Sequence, residues 1–202
     1  MRIIESVQGT PEWLQSRLGC PSGSNFDKLI TATGKPSTQA EGYINQLIAE
    51  KLTGETTYVK TTEWMARGTE LEPMARDYYT LATGNEVTEV GFCKHDNEEL
   101  DCGVSPDGLV GSDGLIEIKC PSPQRHVEYL RAGKLPTAYK QQVQGQMWIT
   151  DRKWCDFVSY HESMPALIVR VERDQEYIDL LAIEVEKACE TIAKQYEILR
   201  NK

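Results

Sequence analysis

The stretch S-P-D-G-L-V-G-S-D-G-L-I-E-I-K-C-P, residues 105–121, constrains the fold more than any other part of the chain. Leu115 to Cys120 alternates like a strand, and residues two apart in a strand share a face. Leu115, Glu117 and Lys119 then point one way, while Ile116, Ile118 and Cys120 point the other, toward a core. The G-S-D-G of 111–114 has the chemistry of a hairpin turn. A plain two-residue Ser112-Asp113 loop would pair Asp107 with Ile118 and put the acid on the wrong face. One extra residue in the turn, or a bulge, corrects this. Pro106 cannot donate to a sheet ladder, so a distorted strand is expected there. With that shift Asp107, Glu117 and Lys119 converge.

Two close carboxylates favour a divalent cation, and few hard oxygen ligands suit Mg²⁺ or Mn²⁺. A lysine beside them can hold or deprotonate an attacking water, which is the apparatus of phosphodiester hydrolysis. The competing reading is an ordinary Glu–Lys pair on a solvated edge strand, since a D-x9-E-x-K spacing recurs by chance.

The rest of the chain supplies helices and short strands. Pro21–Ala32 predicts a short helix capped by Ser22 or Ser24, with Phe26, Leu29 and Ile30 facing inward. Thr38-x-x-Glu41 resembles a capping box opening a helix through Leu52 that stops at Gly54. A third helix is expected from Met65 to Leu81, ended by Gly84. Strands are expected at 86–94, 101–105, 115–120, 154–161 and 166–172, with helices at 123–132 and 137–150. Residues 174–199 form an amphipathic helix offering Ile178, Leu181, Ile183, Val185 and Ile192 to the core. This order predicts an α/β or α+β sandwich with a small mixed sheet. No internal repeat, low-complexity tract or linker breaks it.

With 202 residues, 40% hydrophobic and 26% charged, one globular domain over 1–202 is expected. No run of about 18 apolar residues indicates a membrane span. The N-terminus lacks a secretory h-region, so a cytoplasmic location is expected. Cysteines at 20, 93, 102, 120, 155 and 189 form no C-x-x-C pair, which favours buried free thiols over zinc or disulfides. The net charge of −9, taken alone, argues against a nucleic-acid partner. Residues 107–155, however, carry seven Lys/Arg against five Asp/Glu, so a locally basic site in an acidic body is possible.

Pro106-Asp107 followed by Glu117-Ile118-Lys119 resembles the PD-(D/E)XK nuclease motif. W-L-Q-S-R-L-G-C-P-S-G-S at 13–24, R-G-T-E-L-E-P-M-A-R at 67–76, A-Y-K-Q-Q-V-Q-G-Q-M-W-I-T at 138–150 and the W-C-D-F-V-S-Y-H-E-S-M after it extend the likeness. Together they are similar to the YqaJ-type viral recombination nucleases of the phage lambda exonuclease branch. The resemblance implies a restriction-endonuclease-like core, a mixed sheet flanked by helices. It implies a Mg²⁺-dependent 5′-to-3′ exonuclease, favoured at alkaline pH, with Mn²⁺ able to substitute. Linear double-stranded DNA would be cut to mononucleotides, leaving a 3′ overhang for a Red-beta-like single-strand annealing protein in recombination. A phage or prophage origin in a bacterial host follows, as does a homotrimeric ring.

Roles follow residue by residue. Asp107, Glu117, the Ile118 carbonyl and Glu72 match the metal ligands. Lys119 matches the lysine near the attacking water, and Gln142 the glutamine on the following helix. Tyr139, one turn earlier, would share its face. Arg17, Ser24, Ser105 and Arg125 match the positions that hold the 5′-phosphate of the DNA end. Trp13 is expected to anchor the N-terminal segment. Lys35, Lys60, Arg67 and Arg76 are the candidates to line a channel. The rival readings are a same-fold nuclease acting on single strands, a RecB-like or restriction-type endonuclease, and an inactive DNA-binding module. A RecB-like iron–sulfur cluster needs closely placed cysteines, which these are not.

Overall fold

Thr10 and Pro11 open the first helix by a cap and a fixed φ. In the computed structural model, which describes residues 1–57 and 63–202, helix α1 spans Pro11–Ser16, and the Thr10 hydroxyl accepts from the Trp13 amide at 3.3 Å. Lys60 lies outside the described residues.

The helix expected over 21–32 is a 3-10 helix, Gly23–Lys28. Ser22 stands at its N-cap position but makes no side-chain cap. Its hydroxyl is engaged by Arg17 and Asn25 instead. Helix α2, Ala40–Thr53, starts after Gln39 without a side-chain cap, so the capping box at Thr38 does not form. Its end is as expected: Gly54 adopts φ 71° and donates to the Glu50 carbonyl. Helix α3, Glu63–Thr83, ends where the Gly84 amide donates to the Thr80 carbonyl.

The strands are β1 Arg2–Ile4, β2 Val87–Thr88, β3 Phe92–Lys94, β4 Gly103–Val104, β5 Gly108–Val110, β6 Gly114–Lys119, β7 Trp154–Ser159 and β8 Leu167–Glu172. They form a five-stranded mixed sheet, β2-β5-β6-β7-β8, and a three-stranded sheet, β1-β3-β4. The single strand expected over 86–94 therefore divides between two sheets. It breaks at Gly91, where a Cβ would meet the Ile4 carbonyl at 2.3 Å.

Strands β6 and β7 run parallel, and their crossover carries α4 Pro123–Ala132, a 3-10 turn Thr137–Tyr139 and α5 Lys140–Thr150. The long C-terminal helix α6 spans Gln175–Leu199. Ile178, Leu181, Val185 and Ile192 are buried as expected, but Ile183 is 46% exposed because it falls on the outer face.

Helices cover both faces of β6. Leu71, Ala75 and Tyr79 of α3 pack with Ile116, Ile118 and Cys120 on one face. Val143 and Met147 of α5 pack with Leu115 and Cys155 on the other. Each such fully buried large apolar side chain contributes about 1.5–3 kcal/mol. β6 is thus a central strand, and the solvated-edge reading of its charges does not hold. Gly145 lets α5 approach the 3-10 helix closely: a Cβ there would meet the Phe26 ring at 2.4 Å. That contact brings the helix carrying Gln142 up to the segment carrying Ser24. All six cysteines are buried free thiols.

Candidate active site

The hairpin register sets the geometry. β5 and β6 pair Gly108 with Ile116 and Val110 with Gly114, leaving Gly111, Ser112 and Asp113 in the turn. That is the extra turn residue the sequence requires, and Gly111 takes φ 52° to allow it. Continuing the register puts Asp107 opposite Glu117. Pro106 precedes and the ladder has ended. Asp107 Oδ2 instead accepts from the Ile118 amide at 2.6 Å. In a strand the N–H and C=O of one residue point to the same side. The Ile118 carbonyl therefore faces the Asp107 side.

Glu117 is fully buried, yet both oxygens are satisfied. Gln142 donates to Oε1 and Gln146 to Oε2, each at 2.6 Å. Lys119 forms an ion pair with Oε1. The two glutamines stand four apart on α5, so they share one helix face. Gln142 was expected here; Gln146 was not, although the Q-x-x-x-Q spacing is visible in the sequence. Tyr139 stacks on Phe157 with centroids 5.3 Å apart, and the Lys119 ammonium lies 5.3 Å from its ring centroid. Packing and a cation–π contact thus both hold Tyr139.

Electrostatics at this point are under tension. Burial, then the charge of Glu117, push the Asp107 carboxyl well above the ordinary range. Burial alone would lower the Lys119 pKa, but Glu117 and Asp107 outweigh it and raise it. Lys119 is therefore an ammonium at neutral pH. Glu72 of α3 is raised by burial, countered by Arg76 and raised further by Glu117, which sets it at the margin of the same charge cluster. Arg76 holds Glu72 at 2.7 Å and Glu89 at 3.0 Å.

Among the described residues, no three His, Cys, Asp or Glu side chains form a ready-made metal cage. The donor set nonetheless fits a hard cation. Two carboxylates and a carbonyl converge, and the burial and the repulsion by Glu117 that raise Asp107 are both offset by a divalent charge.

A second cluster lies beside the first. Arg17 donates to the Ser22 hydroxyl at 3.0 Å and to that of Ser24 at 3.4 Å, and its guanidinium stacks 4.1 Å from the Trp13 ring centroid. The Trp13 indole donates to Ser105 at 2.9 Å, and Asn25 donates to both Ser22 and Ser24. Ser22 and Asn25 were not expected; serine and asparagine beside a candidate site carry no pattern of their own. Trp13 anchors the segment as expected. Arg125 is exposed on α4 and pairs with Glu128 at 2.8 Å, apart from the Arg17 contacts. Of the channel candidates, Lys35 is exposed in a turn, Arg67 pairs with Glu162 at 3.2 Å, and Arg76 sits between its two glutamates.

Comparison with known proteins identifies the family and the fold. The model of the YqaJ-like viral recombinase domain matches residues 12–153. The alkaline exonuclease LHK-Exo from Laribacter hongkongensis is 39% identical, with a TM-score of 0.86 over 95% of this chain and 97% of that one. The same protein in complex with dAMP gives 0.85 at the same identity and coverage. A phage-related exonuclease from Haemophilus somnus shares the fold, at 20% identity and a TM-score of 0.64 over 89% of this chain and 94% of that one. No curated protein sequence matches. The chain belongs to the YqaJ-like viral recombinase family, and it is a nuclease of the PD-(D/E)XK type.

Proposed function

We propose that this deoxyribonuclease digests linear duplex DNA from its ends, 5′ to 3′, releasing 5′-mononucleotides. The 3′ single strand it leaves would be handed to a single-strand annealing protein. One observation carries the reading: Ser105, which receives the Trp13 indole of the Arg17 cluster, lies two residues before Asp107. An anion-holding group is thereby fixed to the segment that carries Asp107, just before β5. An enzyme that grips a terminal phosphate beside its cutting site suits the trimming of ends.

Asp107, Glu117 and the Ile118 carbonyl would hold the cation, with Glu72 at the edge of the site. Mg²⁺ there would polarise the scissile phosphate and lower the pKa of a bound water. Lys119, already charged, stabilises the negative charge that builds on the phosphate oxygens. Gln142, only part-buried, can exchange Glu117 for the incoming water or phosphate as a donor. Arg17 with the Ser22, Ser24 and Ser105 hydroxyls binds the terminal phosphate as a charged fork among neutral donors.

The test uses labelled linear duplex, closed circular duplex and single strand, each incubated with Mg²⁺ and with chelator. Mononucleotides from the 5′-ended strand of linear duplex are expected, with no nicking of circles and no turnover in chelator. Nicked circles would point to an endonuclease instead.

A further inference from the structure

We infer that Gln146 is a positioning residue for the cation site: it pins Glu117 through Oε2, so that Oε1 alone is given to the cation. The inference rests on the reading of Glu117 as a cation ligand and adds a residue and a ligation mode to it.

The two oxygens of Glu117 stand in different settings. Oε2 is held by Gln146 at 2.6 Å, between a side chain that is 0% exposed and one that is 1% exposed. Oε1 is held by Gln142 and Lys119, both of them part-exposed. Donors with access to solvent can move to a substrate; a donor locked in the core cannot. Only Oε1 is therefore free to change partner without opening the core.

Packing alone does not select glutamine here. Val143 and Met147, on the same helix, meet Leu115 and Cys155 in an apolar layer. Gln146 enters that layer, and its own Oε1 has no partner among the described residues. A buried acceptor left unpaired is costly, so a methionine of similar volume would suit the layer better. The amide faces that cost to put its N–H on Glu117. Because carboxylates accept and do not donate, the orientation of the amide is fixed by Glu117. Its i+4 relation to Gln142 places both donors on one rigid helix face, so the carboxylate plane cannot rotate about the strand.

The variant that removes only the donor is Gln146→Met. Binding of Mn²⁺, followed by loss of the free-ion signal in electron paramagnetic resonance, should weaken about tenfold or more. The Mg²⁺ midpoint for digestion should rise in parallel. The rate at saturating Mg²⁺ should fall by less than about threefold, because no group that touches substrate has changed. Gln146→Asn, whose amide is one methylene too short, should behave likewise, which covers the case where methionine disturbs folding. Circular dichroism in chelator checks the fold of each. Wild-type Mn²⁺ affinity in a folded Gln146→Met or Gln146→Asn protein overturns the inference. Glu117→Gln separates the two levels: if it binds Mn²⁺ and digests as wild type does, the assignment of Glu117 itself fails.

Discussion

The Trp13 indole N–H donates to the Ser105 hydroxyl at 2.9 Å, and this bond joins the N-terminal segment to the link between β4 and β5 that carries Asp107. The same ring supports the Arg17 guanidinium at 4.1 Å. Trp13 thus sets both the cation of the proposed phosphate-binding cluster and one of its hydroxyls. Trp13→Phe keeps a ring under Arg17 and deletes only the donor. A neutral hydrogen bond contributes about 0.5–1.5 kcal/mol. The preference for 5′-phosphorylated over 5′-hydroxyl duplex should shrink up to about tenfold, with the hydroxyl-ended rate unchanged. An unchanged preference would detach Trp13 from the phosphate site.

Arg17 and Arg125 should differ in weight. Arg17 is seated among serine hydroxyls, whereas Arg125 is exposed and occupied by Glu128. Arg17→Ala should cost phosphorylated ends about 1.5–3 kcal/mol, the range of a charged hydrogen bond. Arg125→Ala should also reduce the preference, but less, since Arg125 must first leave Glu128. Steady-state rates on both kinds of end decide the order. A larger effect at Arg125 would mean that the loop after β6 reorganises when DNA binds.

Lys119 is held as an ammonium by Glu117 and Asp107. A charged group suits stabilisation of the transition state rather than proton abstraction. Lys119→Met should lower digestion by at least about 100-fold, the usual loss for one such donor. Binding of duplex ends, read by fluorescence anisotropy in Ca²⁺, should change little. Near-normal turnover in Lys119→Met would remove the lysine from the chemistry.

The site was legible where its determinants are local. Turn length and the two-residue period place Asp107 opposite Glu117, and the three-residue Gly111–Asp113 turn realises that register. Gly54 and Gly84 end their helices by a conformation that glycine favours. What escaped depends on partners distant in sequence. β1 has only three residues and exists only by pairing with β3, whereas β4 falls inside the strand expected over 101–105. Ser22 has cap chemistry, but Arg17 recruits its hydroxyl. Gln146 reads as one more helical glutamine until the fold brings Glu117 to it. Helix α1 was missed although Thr10 and Pro11 announce it.

Glu50 predicts a pH dependence. It is buried in α2 and accepts from the Gly19 amide at 3.2 Å, Gln46 at 3.0 Å and the Thr57 amide at 3.1 Å. Burial pushes its pKa up, but the hydrogen bonds outweigh it and hold the carboxyl below its ordinary value. A depressed folded pKa gives stability that is complete above the unfolded value of about 4.3 and lost as pH falls through the folded one. Glu50→Gln should therefore lower stability at pH 7 by on the order of 1 kcal/mol, a charged acceptor being stronger than a neutral one. The gap should narrow at an acidic pH below about 4.3. Urea denaturation at both pH values tests this, and a gap that widened on acidification would reverse the assigned sign.

The chain is acidic overall, at −9, yet its proposed substrate is a polyanion. A ring resolves the conflict if cations face an inner channel, because charge on the outer surface is screened beyond about 8–10 Å. Two of the three candidate cations among the described residues are already engaged: Arg67 pairs with Glu162, and Arg76 with Glu72 and Glu89. Duplex entry would exchange those carboxylates for phosphates, so binding should weaken steeply with salt. Helix α3 also exposes Met74, Tyr78 and Leu81 at i, i+4 and i+7, an apolar stripe that a neighbouring copy could cover. The family resemblance implies a homotrimer, so light scattering near three times 22.8 kDa is expected. A ring threaded by its product strand cannot be displaced by added competitor, so digestion begun before a trap of excess DNA should continue for many nucleotides. Leu81→Glu should shift the mass toward monomer and make digestion stop at the trap. A monomer in the wild type, with digestion that halts at once on trapping, would dismiss the ring.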